Sequence, residues 1–242
     1  MNGLGLYLMF MIPPMLLALW AQWRVRSSYA AAAEVPAACG MTGAEITAEI
    51  LRAHDIRNVG IEMVPGQLSD HYDPRAKMLR LSPDVYHGRS VAALGIAAHE
   101  AGHAIQDAQR YAPLVLRNGI VPLAAVGSHA SMFLIMAGMM LGAGVGIGLG
   151  KWLLIAGIAG FSLVVVFQLI NLPVEFDASN RAKKLLQETG LVAQGGESRA
   201  MNRVLGAAAM TYVAATVGAL STLLYYVRSE EHTSELQSRQ YL

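Results

Sequence analysis

One short segment holds residues whose types and spacing suit metal-assisted hydrolysis. Residues 97–106 read AAHEAGHAIQ, in which His99, Glu100 and His103 form the pattern H-E-x-x-H. On a helix, side chains four positions apart lie on one face, so both imidazoles can reach one metal ion. Imidazole nitrogens suit zinc, and a catalytic zinc keeps one position open for water. We therefore expect His99 and His103 to bind a single Zn²⁺.

Glu100 supplies the base that such a site requires. Bound zinc lowers the pKa of water to about 7, and a neighbouring carboxylate can take its proton and pass it to a leaving amine. The pattern therefore predicts a zinc-dependent endopeptidase in which Glu100 is the general base and the substrate is a peptide or protein. The alternative is a structural pair of helical histidines. The surrounding residues argue against it, because they are small and permit close approach: Ala97, Ala98, Ala101, Gly102 and Ala104.

The composition indicates a membrane protein with the lipid bilayer as a partner. Of 242 residues, 54% are hydrophobic and 14% are charged, whereas about a quarter of residues are charged in ordinary soluble domains. The net charge of +1 gives no reason to expect nucleic acid as a partner. Cys39 is the single cysteine, which excludes an internal disulfide and a zinc site built from cysteines.

Four apolar stretches organise the chain into spans and hydrophilic segments. We expect a mainly α membrane protein with about four transmembrane helices and a small zincin-like α+β catalytic part. The expected segments are a transmembrane anchor at 1–23, the catalytic segment at 24–117, a transmembrane hairpin at 118–172, a helix carrying the third ligand at 173–203, and a transmembrane helix at 204–227.

The hairpin has its own predicted details. Its first span should end near Leu149, and Lys151 should mark its turn. Its glycines should permit close helix contact: Gly138, Gly142, Gly144, Gly146 and Gly148.

Arginine and lysine are concentrated in the two hydrophilic segments, whereas the predicted turn of the hairpin has only Lys151. Basic residues favour the cytoplasmic side of a membrane, so we expect both segments, and the site, to face the cytoplasm. The hairpin returns the chain to the side that it left. A metal ligand beyond the hairpin can therefore meet His99 and His103.

Local signals in the catalytic segment predict a capped helix, two short strands joined through a turn, and the metal helix. These are the Thr42/Glu45 capping box, the strands at 59–64 and 77–81, the turn at Asp73-Pro74, and a metal helix that starts at Ser90 and runs to about Ala108.

A catalytic zinc normally has three protein ligands, so one must come from outside the motif. Glu175 follows the third span, and Pro173 suits the first turn of a helix, where the dipole stabilises a carboxylate. We assign Glu175 as the third ligand. Asp177 is the weaker candidate, as a ligand or as an acceptor for a ligand imidazole N–H. The alternative is that both carboxylates only cap a helix.

A polar cluster at 70–73 offers candidates for stabilising the developing oxyanion. His71 or Tyr72 could donate a hydrogen bond to it. The strand that follows, at 77–81, would hold an extended substrate by edge pairing. The alternative is an ordinary Asp-Pro turn whose side chains bond to their own backbone.

Longer stretches resemble the YugP-like family of neutral zinc metallopeptidases of bacterial membranes. The stretches are LSDHYDPRAKMLRLS, HGRSVAALGIAAHEAGHAIQDA, FQLINLPVEFDASNRAKKLL and AAAMTYVAATVGAL. The resemblance covers residues 1–227 and implies a multi-pass zinc protein of the bacterial inner membrane. Residues 175–178 also resemble the third-ligand segment of the HtpX and CAAX-prenyl endopeptidase group. The chain departs from that group at Ser179, where the group usually has aspartate.

Two other functions are compatible with the motif. One is an intramembrane protease with the motif inside a span, although Arg89, Asp107 and Arg110 bracket the metal helix. The other is a non-catalytic membrane scaffold that retains a metal site. The sequence leaves the substrate and the oligomeric state open.

The tail at 228–242, RSEEHTSELQSRQYL, has no hydrophobic period. Its first part matches the translation of a common sequencing adapter. We therefore expect an artefact and exclude the tail from the fold prediction.

Overall fold

The computed structural model describes residues 3–142 and 147–240, with side chains at 4–141 and 148–229. The described elements are seven helices and three strands: α1 (Gly3–Ala33), α2 (Gly43–Ala53), β1 (Gly60–Met63), β2 (His71–Asp73), β3 (Met78–Leu81), α3 (Pro83–Tyr86), α4 (Val91–Ala108), α5 (Ala112–Gly142), α6 (Ile147–Glu188) and α7 (Gly196–Gln240). They fall into two compact units. One comprises Met1–Leu19, Leu116–Asn171 and Val213–Leu242, and the other comprises Trp20–Val115 and Leu172–Tyr212.

Four helices are long and apolar enough to cross a membrane, as the sequence predicts. The candidate spans are Leu4–Ala33, Ala112–Leu141, Gly148–Glu188 and Gly196–Ser229. The chain is thus a mainly α membrane protein that also carries a small sheet. The helix α7 continues through 228–240, and the adapter interpretation of the tail stays a prediction.

The predicted turn of the hairpin is wrong. The helix α5 ends at Gly142, and Lys151 lies inside α6. One isolated lysine among apolar residues does not interrupt a helix. The predicted close contact is confirmed at Gly138, where an added Cβ would lie 2.8 Å from the Gly150 carbonyl oxygen, whereas Gly148 has nothing within 4 Å. Gly142 has no described side-chain environment, and Gly144 and Gly146 lie outside the described residues.

The prediction that a new helix begins at Pro173 is also wrong, because Pro173 lies in the interior of α6. Proline removes one intrahelical hydrogen bond, yet long helices accommodate it when packing holds the helix together. Glu175 is therefore in the middle of a helix. Neither the helix-dipole argument nor the capping alternative applies to it.

The three strands form a sheet in the order β1-β3-β2. The strand β3 runs parallel to β1 and antiparallel to β2, with His71 opposite Arg80 and Tyr72 opposite Leu79. The predicted strands at 59–64 and 77–81 are confirmed, but β2 was expected to be part of a turn. Because β3 is paired on both sides, the prediction that it offers a free edge to substrate is wrong.

The helix α4 is the centre of the second unit. The capping box of Thr42 and Glu45 starts α2, and the Ser90 hydroxyl caps α4 by accepting from the Ala93 N–H, both as predicted. The largest fully buried apolar side chains come from α2, β3, α3, α4, α6 and α7: Ile46, Leu79, Leu81, Val85, Val91, Leu94, Ile105, Val174, Leu186, Met201 and Leu205.

Glycine at position 102 lets α4 and α6 approach closely. A Cβ added to Gly102 would lie 2.9 Å from the Ala178 carbonyl oxygen and 3.3 Å from its Cα. Any larger side chain would push the two backbones apart. The separation between α4 and α6 is therefore set beside the H-E-x-x-H motif.

Candidate metal centre

Three side chains from two helices converge within the second unit. His99 and His103 extend from α4 and Glu175 from α6, and one ligand atom of each lies within 4.8 Å of the other two. The Glu175 Oε2 atom is 3.4 Å from His99 Nε2 and 3.6 Å from His103 Nε2. The two imidazole planes are nearly perpendicular, at 83°. The side chains thus direct two nitrogens and one oxygen to a common point.

These separations fit a divalent metal ion. Ligand atoms on a tetrahedral zinc, with bonds of about 2.1 Å, lie about 3.4 Å from each other. The two distances from Glu175 Oε2 match that value and exceed the most common N–H···O length of about 2.9 Å. The donor set of two imidazoles and one carboxylate is also a known zinc combination. The three residues could therefore hold one zinc ion.

The site is shielded from solvent. Glu175 is 4% exposed, and His103 is also buried. Burial lowers the pKa of the His103 imidazole, but its contact with Glu175 and the charge of Glu100 outweigh burial, so that the pKa is raised. The neighbouring carboxylates thus favour a positive charge at His103.

Glu100 is buried beside this group on α4. Its charge acts on His103 and on Asp70, which precedes β2. Burial raises the pKa of the Asp70 carboxyl, hydrogen bonds from the Ser82 N–H and hydroxyl oppose that shift, and Glu100 adds to it. Glu100 is thus close to His103 while lying outside the set of residues that could hold the ion.

The Nδ1 atom of each imidazole, which faces away from Glu175, has its own hydrogen-bond partner. His103 Nδ1 lies 2.9 Å from Gln106 Oε1. His99 Nδ1 lies 3.2 Å from the hydroxyl of Ser179. Ser179 is the residue at which the chain departs from the aspartate of the HtpX-like group, and a hydroxyl there still reaches the imidazole.

Asp177 does not join the group that could hold the ion. Its Oδ2 atom accepts instead from the Gln106 side chain, 2.8 Å away, and from Arg181 Nε, 2.5 Å away. The sequence prediction that Asp177 accepts directly from a ligand imidazole is therefore wrong, because Gln106 stands between them. Gln106 was missed, although its position three residues after His103 places it near the same helix face.

The structure gives His71 and Tyr72 different surroundings. Alternate residues of a strand point to opposite faces. Tyr72 packs with buried Leu79 in the core, and its hydroxyl donates to Asp107 Oδ2 on α4 at 2.6 Å. The His71 side chain is exposed, with Nδ1 2.8 Å from the Ser69 carbonyl oxygen. Neither residue belongs to the metal group. Burial, and then the bond to Asp107, raise the pKa of Tyr72.

Comparison with known proteins gives two matches that cover most of the chain. A family profile described as "Putative neutral zinc metallopeptidase" matches residues 7–231. The chain is similar to the protein named "Putative membrane protease YugP" of Bacillus subtilis (strain 168). The two are 43% identical over 222 residues, which cover 92% of this chain and 95% of that protein. No solved structure matches the chain.

We expect the Glu175→Gln variant to bind zinc at least tenfold more weakly than the wild type, because the amide removes the negative charge that faces both imidazoles. The measurement is the zinc dissociation constant of the purified protein in detergent, obtained by competition with a chromophoric chelator. Glu188→Gln is the matched control, since Glu188 is exposed on the same helix, where it pairs with Lys184 at 3.9 Å. Equal zinc affinity of Glu175→Gln and the wild type would contradict the assignment.

Proposed function

The chain belongs to the family of neutral zinc metallopeptidases, and from that premise we propose that it is a membrane-bound zinc endopeptidase. The proposal rests on one observation, the convergence of His99, His103 and Glu175, in which Glu175 Oε2 lies at distances from both imidazole nitrogens that suit a tetrahedral ion. A bound zinc would supply a Lewis acid that makes water reactive at neutral pH. The chain's own residues would hold the ion, move the proton and stabilise charge.

Glu100 is the proposed general base. It follows the ligand His99 directly on α4, and it is buried near His103 without belonging to the ligand set. In that position, its carboxylate can take a proton from the attacking water and deliver it to the nitrogen of the scissile amide as the C–N bond breaks.

Tyr72 is the better supported of the two proposed oxyanion donors. Asp107 holds its hydroxyl, and Asp107 lies on the face of α4 that also carries Glu100 and His103, at spacings of seven and four residues. His71 lies on the opposite face of β2 from Tyr72. To stabilise an oxyanion, the Tyr72 hydroxyl would turn from Asp107 toward the substrate. The outer strand β2 is then the proposed edge for an extended peptide.

The endopeptidase hypothesis accounts for the structure better than an intramembrane protease. The helix α4, which carries the motif, is not among the four candidate spans found in the described residues. Because basic residues favour the cytoplasmic side, we propose that the site faces the cytoplasm of a bacterial inner membrane. The substrate is proposed only as a class, a peptide or protein.

We expect Glu100→Gln to retain zinc and to lower kcat/KM for casein by about 10²–10⁴-fold, because the amide cannot accept the proton. Zinc content by elemental analysis and casein cleavage are measured on the same preparation. Glu49→Gln, an exposed substitution on α2, is the matched control. Chelation should remove the wild-type activity and added zinc should restore it. Undiminished cleavage by Glu100→Gln would refute the mechanism, and zinc binding without any cleavage by the wild type would favour the scaffold.

We expect Tyr72→Phe to lower kcat by about 10²-fold, the loss typical of one oxyanion donor, with zinc affinity unchanged. His71→Ala, one residue earlier on the same strand, should retain wild-type kcat because its side chain lies on the other face. Steady-state kinetics on one peptide substrate give both values. If the two variants exchange these effects, His71 rather than Tyr72 is the donor. If neither lowers kcat, neither residue stabilises the oxyanion.

The orientation can be tested at Arg57, whose side chain is 88% exposed. In the Cys39→Ser background, we expect Arg57→Cys to react with a membrane-impermeant maleimide only after the cell membrane is permeabilised, because position 57 lies in the basic catalytic segment. Cys39→Ser alone is the control for background labelling. Labelling of Arg57→Cys in intact cells would place this segment outside the cytoplasm.

A further inference from the structure

Gln106 is a fully buried polar side chain that joins the two helices of the metal centre. Its amide oxygen lies 2.9 Å from His103 Nδ1. Its amide nitrogen donates to the Val174 carbonyl oxygen and to Asp177 Oδ2, each at 2.8 Å. Every polar atom of this amide is therefore engaged, as burial requires. Val174 directly precedes Glu175, so the same side chain touches one ligand and the backbone beside another.

The direction of each hydrogen bond follows from the chemistry of its partners. A backbone carbonyl and a carboxylate can only accept, so the Gln106 NH₂ group must face Val174 and Asp177. The Gln106 oxygen must then face His103, and it can only accept. His103 Nδ1 must therefore carry a proton. In the neutral imidazole, Nε2 is left with its lone pair, and Nε2 is the atom that faces Glu175.

Asp177 fixes this arrangement further. Its Oδ2 atom also accepts from Arg181 Nε, and Arg181 donates through Nη1 to Gln109 Oε1 at 2.7 Å. Because Gln106 Nε2 and Arg181 Nε can only donate, the Asp177 Oδ2 atom is the acceptor in both hydrogen bonds. His99 differs, because its Nδ1 faces the Ser179 hydroxyl, and a hydroxyl can donate or accept. Ser179 therefore does not select a tautomer, whereas Gln106 does.

We propose that Gln106 is a positioning residue of the metal centre, which holds His103 in the tautomer whose Nε2 is free to bind the ion and anchors the Val174–Glu175 backbone to α4. The inference rests on the proposed function, in that the ion is the zinc of the proposed enzyme. In metal sites, the partner that orients a ligand imidazole is commonly a carboxylate or a backbone carbonyl. Here the side-chain amide of Gln106 has that role.

The test measures zinc affinity, which does not depend on catalysis. Gln106→Met keeps the volume but removes the acceptor, and we expect it to bind zinc 10–100-fold more weakly, the usual loss when the partner of a ligand imidazole is removed. Its Co²⁺ derivative should show an altered visible absorption spectrum, because the His103 ring is no longer fixed. Gln187→Met is the matched control, since Gln187 is a partly buried glutamine of α6 whose amide donates to the Ser198 hydroxyl at 2.8 Å, away from the metal group and its hydrogen-bond network, and it should retain wild-type affinity and spectrum.

Exchanging the amide of Gln106 with the carboxylate of Asp177 tests whether Gln106 acts through its hydrogen bonds or only fills space. Gln106→Glu places an acceptor against Asp177 and should weaken zinc binding. Adding Asp177→Asn gives the new carboxylate a donor while it still accepts from His103, so Q106E/D177N should bind zinc more tightly than Q106E. Thermal unfolding of each metal-free protein reports whether it is folded, and the charge-exchange pair decides the outcome if Gln106→Met does not fold.

Wild-type zinc affinity in Gln106→Met, an equal loss in Gln187→Met, or no recovery in Q106E/D177N would overturn the role of Gln106 while leaving the proposed function intact. Failure of the wild type to bind zinc would overturn both.

Discussion

The candidate metal centre depends on the close approach of two helices that are distant in sequence. The helix α4 carries the H-E-x-x-H motif, and α6 carries Glu175 more than seventy residues later. Gly102 makes the approach possible, because the Ala178 carbonyl occupies the space that a Cβ at position 102 would need. The motif residues and Glu175 lie within about one turn of this contact. A small displacement of either backbone would therefore change the ligand separations directly.

Burial of the carboxylates at this centre costs solvation free energy that a bound cation would offset. Glu175 and Glu100 are both buried, and an ionised carboxylate that leaves water loses several kcal/mol of solvation unless a positive charge or donors compensate. The pKa of His103 is raised for this reason, since its acidic neighbours increase the affinity of the imidazole for a proton. A divalent ion meets the same need with two positive charges. The negative charges that favour a proton on His103 therefore also favour a metal ion between the three side chains.

The sequence was most informative where chemistry and local spacing coincide. The motif predicted the helix α4 and the approach of the His99 and His103 side chains to each other. The capping residues Thr42 and Ser90 marked helix starts because the hydrogen bonds of a helix terminus are local. The Pro173 helix start and the Lys151 turn were wrong for a common reason. Both treated one residue as decisive inside a helix of 42 residues, where the many remaining backbone hydrogen bonds outweigh a single missing one or a single charge.

Gln106 could not be recognised from sequence for a different reason. In sequence it is an ordinary polar residue of a helix, and its importance comes from what α6 brings to it: a backbone carbonyl and a carboxylate that force its amide into one orientation. With its orientation fixed, the Gln106 oxygen accepts from His103 Nδ1, so the lone pair of the neutral imidazole is on Nε2. His99 and His103, which are equivalent in the motif, thus have different hydrogen-bond partners in the fold. His99 faces a hydroxyl that can serve as donor or acceptor, and His103 faces an acceptor whose direction is set by the rest of the network.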